Sequence, residues 1–228
     1  MTLFLAALLS ALAPAASAAA PGPCPDVVTA DAFVCRALDA QRSGKPGDAA
    51  QAFEQGAAQT APKDGAQARM FAAAGNMWIA AGEPGKAAIA LDRALTLPGL
   101  IAEQRGEALL DRARAAESQG DLKTARMRVT EAAQSIDRDP FYWYFSAALA
   151  IREGNKVTAE AAIGKALTLA PADPTILFEA GHVAQFAGDT VGARNYWRRA
   201  AEQDPSGPIG KAAREALSFL PAPLTVKN

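Results

Sequence analysis

The chain has 228 residues, half of them hydrophobic, and a formal net charge of −1 at pH 7. This length suffices for one domain or one repeat array, and the balance of acidic and basic residues excludes the basic surface that nucleic acids require. Alanine is abundant while valine, isoleucine and threonine are sparse, which favours helices over sheets. We therefore expect an all-α protein that binds no nucleic acid.

The first 18 residues are typical of a secretory signal peptide. Residues 2–13 form an uncharged apolar run, and the small residues Ala16-Ser17-Ala18 follow it. The run is too short to span a bilayer, so no stable membrane insertion is expected. Because no Lys or Arg precedes the run, an apolar helix docked on the domain is the alternative. We expect cleavage and a periplasmic or secreted mature protein.

Residues 19–29 contain three prolines, which block a helix and predict an irregular N-terminal arm. Cys24 and Cys35 are the two cysteines of the chain. In an oxidising compartment such a pair often forms a disulfide, which would tie the arm to the first helix. A loop of this size is worth about 3 kcal/mol in the chain-entropy picture. The alternative is two free thiols, and no accompanying histidine cluster indicates zinc.

Glycines recur along the rest of the chain with spacings of 38, 38, 34 and 34 residues, at Gly44, Gly82, Gly120, Gly154 and Gly188. Five residues after each glycine stands an alanine, and four residues later a larger side chain, namely Phe53, Leu91, Val129, Ile163 and Trp197. Seven residues before each glycine stands a small residue, namely Ala37, Gly75, Ala113, Ala147 and Gly181. Spacings of three and four place such residues on one helix face. The pattern therefore predicts five helix–turn–helix units.

This pattern resembles the tetratricopeptide repeat, a helix–turn–helix unit of 34 residues. The resemblance covers about residues 30 to 206, and the unit from Pro140 to Asp173 matches nearly every column, including Pro171. It implies a right-handed superhelix of about five antiparallel helix pairs. The expected units lie near 30–63, 68–101, 106–139, 140–173 and 174–207. After Pro205, residues 208–219 predict an amphipathic capping helix, and residues 220–228 a flexible tail.

The first two spacings exceed the family period by four residues, which is close to one helical turn. A lengthened first helix would keep its buried face in phase. The prolines and glycines at 60–65 and 97–104 favour a longer loop for at least part of the excess.

Aspartates stand where helix N-caps are expected. Asp139 and Asp173 each precede a proline that can open a helix. Asp121 and Asp189 follow turn glycines directly and are expected to cap second helices.

Residues suited to catalysis are few. The chain has one histidine, His182, and neither a hydrolytic triad, a zinc motif nor a phosphate-binding loop is evident. We expect no enzymatic activity, no cofactor and no metal site.

The resemblance implies that the first helix of each unit lines a concave groove in which a protein or peptide partner lies. The candidate groove residues are Arg114, Phe141, Tyr144, Arg152, Phe178, His182, Gln185 and Phe186. Groove positions of the second and third units are Arg69, Asn76, Glu107 and Glu117. For His182 the commoner alternative is an exposed or satisfied polar side chain, and Arg114 and Arg152 are alternatively solvated or paired with nearby acids.

Five consecutive aromatic residues, 141–145, open the fourth unit. Trp143 is expected in the core, and Tyr142 and Phe145 are expected to pack on the third unit. Phe141 and Tyr144 have no required structural role, and binding and packing are equally open for them.

Together these features predict a protein–protein interaction scaffold in the cell envelope, which binds a partner segment in its groove. A self-associating structural component and a small-molecule-binding accessory protein are the alternatives. The sequence indicates neither the partner nor the oligomeric state.

Overall fold

The computed structural model of the chain describes residues 23–61 and 65–221. Within these ranges the chain forms eleven α-helices and no strands. The helices are α1 Ala30–Arg42, α2 Pro46–Ala58, α3 Gly65–Ala80, α4 Pro84–Thr96, α5 Ala102–Ser118, α6 Leu122–Ile136, α7 Pro140–Arg152, α8 Lys156–Leu169, α9 Pro174–Phe186, α10 Thr190–Gln203 and α11 Pro208–Ser218. The predicted signal peptide and most of the predicted tail lie outside the described residues. None of the described helices has both the length and the apolar character that crossing a bilayer requires.

Helices α1 to α10 form five pairs, each joined by a turn that contains one of the five recurring glycines. These glycines all have positive φ, from +67° at Gly44 to +86° at Gly188. At the fourth turn the Asn155 N–H donates to the Ala150 carbonyl at 2.9 Å, which closes the end of α7. A Cβ on Gly154 would meet no atom within 4 Å. Glycine is therefore needed at this turn for its left-handed backbone and not for space.

Inside each pair, the small residue of the first helix faces the larger residue of the second. A Cβ on Gly181 would lie 2.1 Å from Nε1 of Trp197, and a Cβ on Gly75 would lie 2.3 Å from Cγ of Leu91. Trp197 is 1% exposed, and its indole N–H donates to the carbonyl of Phe178 at 3.0 Å. The two columns seen in the sequence are thus the two sides of one close helix–helix contact.

The extra residues of the second and third units lie mainly in their first helices. α3 has 16 residues and α5 has 17, whereas α7 and α9 have 13 each. A smaller part lies in the connection before the helix, as expected: five residues separate α4 from α5, whereas three separate α6 from α7 and four separate α8 from α9. Three or four added residues make about one helical turn, so the first helix can lengthen while its buried face stays in phase and the packing is unchanged.

The predicted caps are confirmed. The carboxylate of Asp173 accepts from the N–H groups of Thr175 and Ile176, and Asp139 accepts from Phe141. Asp121 and Asp189 cap α6 and α10 in the same way.

Both ends of the array are covered. At the N-terminal end Cys24 and Cys35 lie at disulfide-bonding distance, with sulfur atoms 2.03 Å apart. The Arg36 guanidinium holds the same arm by donating to the Pro25 and Val27 carbonyls. At the other end, Ala213 of α11 is buried in a cluster with Leu177 and Trp197. The last helix pair therefore does not expose its apolar side.

The aromatic run at the start of α7 packs differently from the expectation at one position. Tyr142, at 4% exposure, is the buried ring, and it joins Val129 and Ile136 of the third unit. Trp143 is only partly buried; its indole N–H donates to the Asp137 carbonyl, and the Lys165 ammonium lies 3.9 Å from its ring centroid. Tyr142 therefore packs on the third unit, as expected, whereas the expected core position of Trp143 is met only in part: its ring packs against the clusters of the third and fourth units but stays partly buried. Phe145 does pack on the third unit, as expected.

Charged groups bridge the third and fourth units, at a contact that we call the seam. Here α5 and α7 approach less closely than α3 and α5 or α7 and α9 do. The Arg126 guanidinium of α6 lies 2.5 Å from the Glu153 carboxylate, which follows α7, and also donates to the buried Ser146 hydroxyl. The seam is therefore held by polar as well as apolar contacts.

Candidate binding groove

In two pairs of neighbouring units the first helices lie side by side: α3 packs on α5, and α7 packs on α9. Side chains from α5, α7 and α9 together surround a depression of about 360 Å³, which we call the central pocket. Its lining residues are Glu117, Tyr144, Phe145, Ala148, Leu149, Ile151, Arg152, Glu179 and His182. The pocket therefore joins three repeat units on the face formed by the first helices.

Helix α7 supplies the apolar part of the central pocket. Leu149 is fully buried at the pocket's base, and Tyr144 and Ile151 are partly buried beside it. The mixture of aliphatic and aromatic carbon is typical of sites that bind an apolar group.

Two charged residues form an ion pair across the seam at one side of the pocket. The Arg152 guanidinium donates to the Glu117 carboxylate, which joins α7 to α5. The Arg152 side chain remains 55% exposed, whereas that of Glu117 is 20% exposed. The pair thus fixes the position of a carboxylate at the pocket wall.

Helix α9 supplies a second carboxylate, which is nearly buried. Glu179 is 8% exposed, and its Oε2 lies 3.2 Å from Nδ1 of His182. The imidazole in turn packs edge-on against Phe178 and Trp197, at centroid distances of 4.5 and 5.6 Å. His182 is held by these rings, and it orients the Glu179 carboxylate.

The electrostatics of the pocket act on Tyr144. Burial, followed by the negative charge of Glu179, raises the pKa of the Tyr144 phenol, and the Arg114 guanidinium opposes the shift. The phenol is therefore neutral at physiological pH, where its hydroxyl can both donate and accept a hydrogen bond.

The structure brings some of the predicted groove residues together and separates others. Tyr144, Arg152 and His182 line the central pocket. Phe141, Gln185 and Phe186 are exposed outside its lining, with Phe141 at 47% and Phe186 at 39%.

The last two candidates have structural contacts. Phe178 is partly buried and packs with the last unit, under the ring of His182. Arg114 is paired with Asp111 at 2.9 Å, as the alternative interpretation of the arginines predicts.

Sequence reasoning missed Glu179, because a glutamate in a helix is normally solvated. The signal that was present is its spacing of three from His182, which places both side chains on one helix face. That spacing indicates an acid beside the single histidine, but it does not indicate that the acid is buried.

A second depression, of about 340 Å³, lies between α3 and α5 and includes Asn76, Met77, Glu107 and Asp111. The Asn76 amide donates to Asp111 at 2.8 Å, and Arg114 donates to the other Asp111 oxygen at 2.9 Å. We call this depression the N-terminal pocket. The Asp111 carboxylate, which is the best buried in this pocket, is already bound by side chains from α3 and α5.

In the part of the chain that the structure describes, no three His, Cys, Asp or Glu side chains are grouped to hold an ion.

The architecture defines a class of protein, an all-helical array of helix pairs that stack into a superhelix. A scan against protein-family models finds no match, and neither does a search of the curated proteins. Solved structures do match, and they show that the chain has the tetratricopeptide-repeat fold.

Three of these structures illustrate the similarity. A TPR protein named YrrB, described as having an unusual peptide-binding site, is 14% identical, with a TM-score of 0.57 over 82% of this chain and 92% of that chain. PilW, described as a widely conserved type IV pilus biogenesis factor, is 16% identical, with a TM-score of 0.67 over 81% and 82%. The APC/C hetero-tetramer Cut9–Hcn1 is 18% identical, with a TM-score of 0.67 over 83% of this chain but only 36% of that chain. The resemblance inferred from the sequence is thus confirmed for the fold.

Proposed function

We propose that the protein is an interaction scaffold that binds an extended segment of a partner protein across its first helices, with the central pocket as the main contact. The observation that carries this proposal is the convergence of α5, α7 and α9 on one apolar depression with charged walls. An elongated segment can contact several first helices at once, because side chains of α5, α7 and α9 line the same depression. The peptide-binding site ascribed to YrrB, which has the same fold, supports this assignment.

The cell envelope is the proposed location. The signal-peptide pattern of the first 18 residues and the Cys24–Cys35 pair support it, since disulfides persist in oxidising compartments. Determining the mass of the mature protein from an exporting host tests it, and an intact Met1 would contradict it.

The groove assignment can be tested by affinity capture from an envelope extract with three forms of the protein: wild type, Tyr144→Ala, and Phe219→Ala as the matched aromatic control. Phe219 is 85% exposed and lies directly after α11, outside the central pocket. We expect Tyr144→Ala to lose the captured partner and Phe219→Ala to retain it. Equal recovery by both variants would exclude the central pocket as the contact.

Light scattering over a range of concentrations addresses self-association. A concentration-dependent dimer that Tyr144→Ala dissociates would assign the pocket to a second copy of the chain instead. We expect a monomer, because the charged rim made by Glu117, Arg152 and Glu179 has the same charges in both copies and would be desolvated in a dimer.

A further inference from the structure

We propose that the central pocket takes a basic side chain, lysine or arginine, from the bound segment, with the Glu179 carboxylate as its anchor. The inference rests on the proposed function, since it names the chemistry of the partner that binds in the same groove.

The first argument is that the Glu179 carboxylate is nearly buried and has few partners. Its side chain is 10% exposed and lines the pocket, and among the residues that the structure describes its only ion-pair partner is His182. An ionised carboxylate offers about four acceptor positions, so one bond from His182 leaves most of its capacity unused. Because a desolvated carboxylate gains most from a cation, this group favours a positively charged ligand.

The second argument is charge complementarity around the pocket. Its lining contains two carboxylates, Glu117 and Glu179, and one guanidinium, that of Arg152. The guanidinium is already bound to Glu117. An anionic ligand would have to displace Glu117 from Arg152 while facing Glu179, and a cationic ligand meets neither obstacle.

The third argument is the shape and chemistry of the walls. Lysine and arginine carry an apolar stem below a charged end, and such side chains bury the stem against carbon while the charge finds a partner. Ala148 and Ile151, both partly buried, offer carbon for the stem, and Tyr144 and Phe145 line the same pocket with aromatic rings, which attract cations. The pocket therefore matches both parts of a basic side chain.

Selection of a displayed random 12-residue peptide library on the purified protein provides the probe. We expect the recovered peptides to be enriched in Lys or Arg beside apolar residues, and their binding to weaken as salt is added. A parent peptide from this pool is then made with its basic residue replaced by norleucine, which keeps the stem and removes the charge.

Binding of both peptides is measured to wild type, to Glu179→Gln and to Glu202→Gln. Glutamine keeps the shape of the side chain and an oxygen for His182, so Glu179→Gln is expected to fold. Glu202 is a matched surface control, because its side chain is 63% exposed in a pair with Arg198. We expect the norleucine exchange to cost about tenfold or more in affinity on wild type and on Glu202→Gln, but less than about twofold on Glu179→Gln.

The outcomes separate this inference from the proposed function. The basic-anchor inference alone would be overturned if the recovered peptides depend on Tyr144 but are not enriched in Lys or Arg. It would also be overturned if the norleucine exchange costs the same affinity on Glu179→Gln as on wild type. Failure to recover any peptide whose binding depends on Tyr144 would contradict the groove proposal as well.

Discussion

The second and third units differ from the fourth and fifth in how they build the groove face. In the N-terminal pair of units the first helices are 16 and 17 residues long, and carboxylates such as Glu107 and Asp111 line their pocket. In the C-terminal pair the first helices are 13 residues long, and aromatic residues lie at the groove. The glycine turns and the helix contacts after them are the same in both regions. The fold thus keeps its packing constant and varies the first helices, where a partner would bind.

Substitution of the closely packed glycines is expected to have the largest effect on stability in the two regions. Gly181→Ala forces a methyl group into the Trp197 indole, which its hydrogen bond to Phe178 holds in place. We expect a loss of about 3 kcal/mol in the free energy of unfolding. Gly75→Ala meets Leu91, a side chain without such a bond, and should lose about 2 kcal/mol.

Urea unfolding followed by circular dichroism and by tryptophan fluorescence measures both changes. The matched control is Gly164→Ala in α8, where an added Cβ meets no atom within 4 Å. This substitution should stabilise the protein by about 0.5–1 kcal/mol through helix propensity. A Gly181→Ala variant as stable as wild type would show that the contact with Trp197 can relax.

The seam between the two regions gives the next largest effect. Arg126→Ala removes a guanidinium that bonds to Glu153 and to the buried Ser146 hydroxyl. We expect a loss of about 2 kcal/mol, because hydrogen bonds to charged, partly buried groups are the strong ones.

Arg198→Ala is the control for this change, since the Arg198–Glu202 pair is exposed and should contribute less than about 0.5 kcal/mol. Urea unfolding gives the two stabilities, and hydrogen exchange of the α7 amides tests whether the loss is local to the seam. Equal losses in the two variants would mean that the contacts of Arg126 do not stabilise the seam.

Local patterns predicted much of this molecule. The five turn glycines, the paired columns and the Asp121, Asp139, Asp173 and Asp189 caps each depend on residues within a few positions of one another. Such rules act inside one helix pair, and the structure confirms them.

What sequence reasoning could not predict depends on how one unit sits on the next. Trp143 was expected in the core but stays partly buried, because the rotation of α7 against the third unit decides how deeply each ring is buried, and no spacing within α7 encodes that rotation. The burial of Glu179 likewise requires α7 to cover it from the neighbouring unit. The division of the excess residues of the second and third units between loop and helix stayed open, because proline and glycine mark turns without indicating where the next helix begins.

The acidic surface of the N-terminal region gives the smallest expected effect. Partial burial, followed by the charges of Glu103, Asp111 and Asp139, raises the pKa of Glu107 above its usual value of 4.5. A group whose pKa is raised by folding contributes stability below its unfolded pKa and loses that contribution as the pH rises through its folded pKa. Glu107→Gln should therefore be more stable than wild type at pH 7, and the difference should vanish below about pH 4.

Because the Glu107 side chain is largely exposed and screened by solvent, we expect a gain of only about 0.3 kcal/mol at pH 7. Thermal unfolding at several pH values measures the gain, and repetition in about 1 M NaCl should remove the part that comes from Glu103, Asp111 and Asp139. Glu160→Gln is the control, since Glu160 lies on α8 in an exposed pair with Lys156. A gain that persists unchanged in high salt would assign the shift to burial alone. The neighbouring carboxylates would then have no measurable effect on Glu107, and the contrast with the aromatic C-terminal region would not include a collective negative charge.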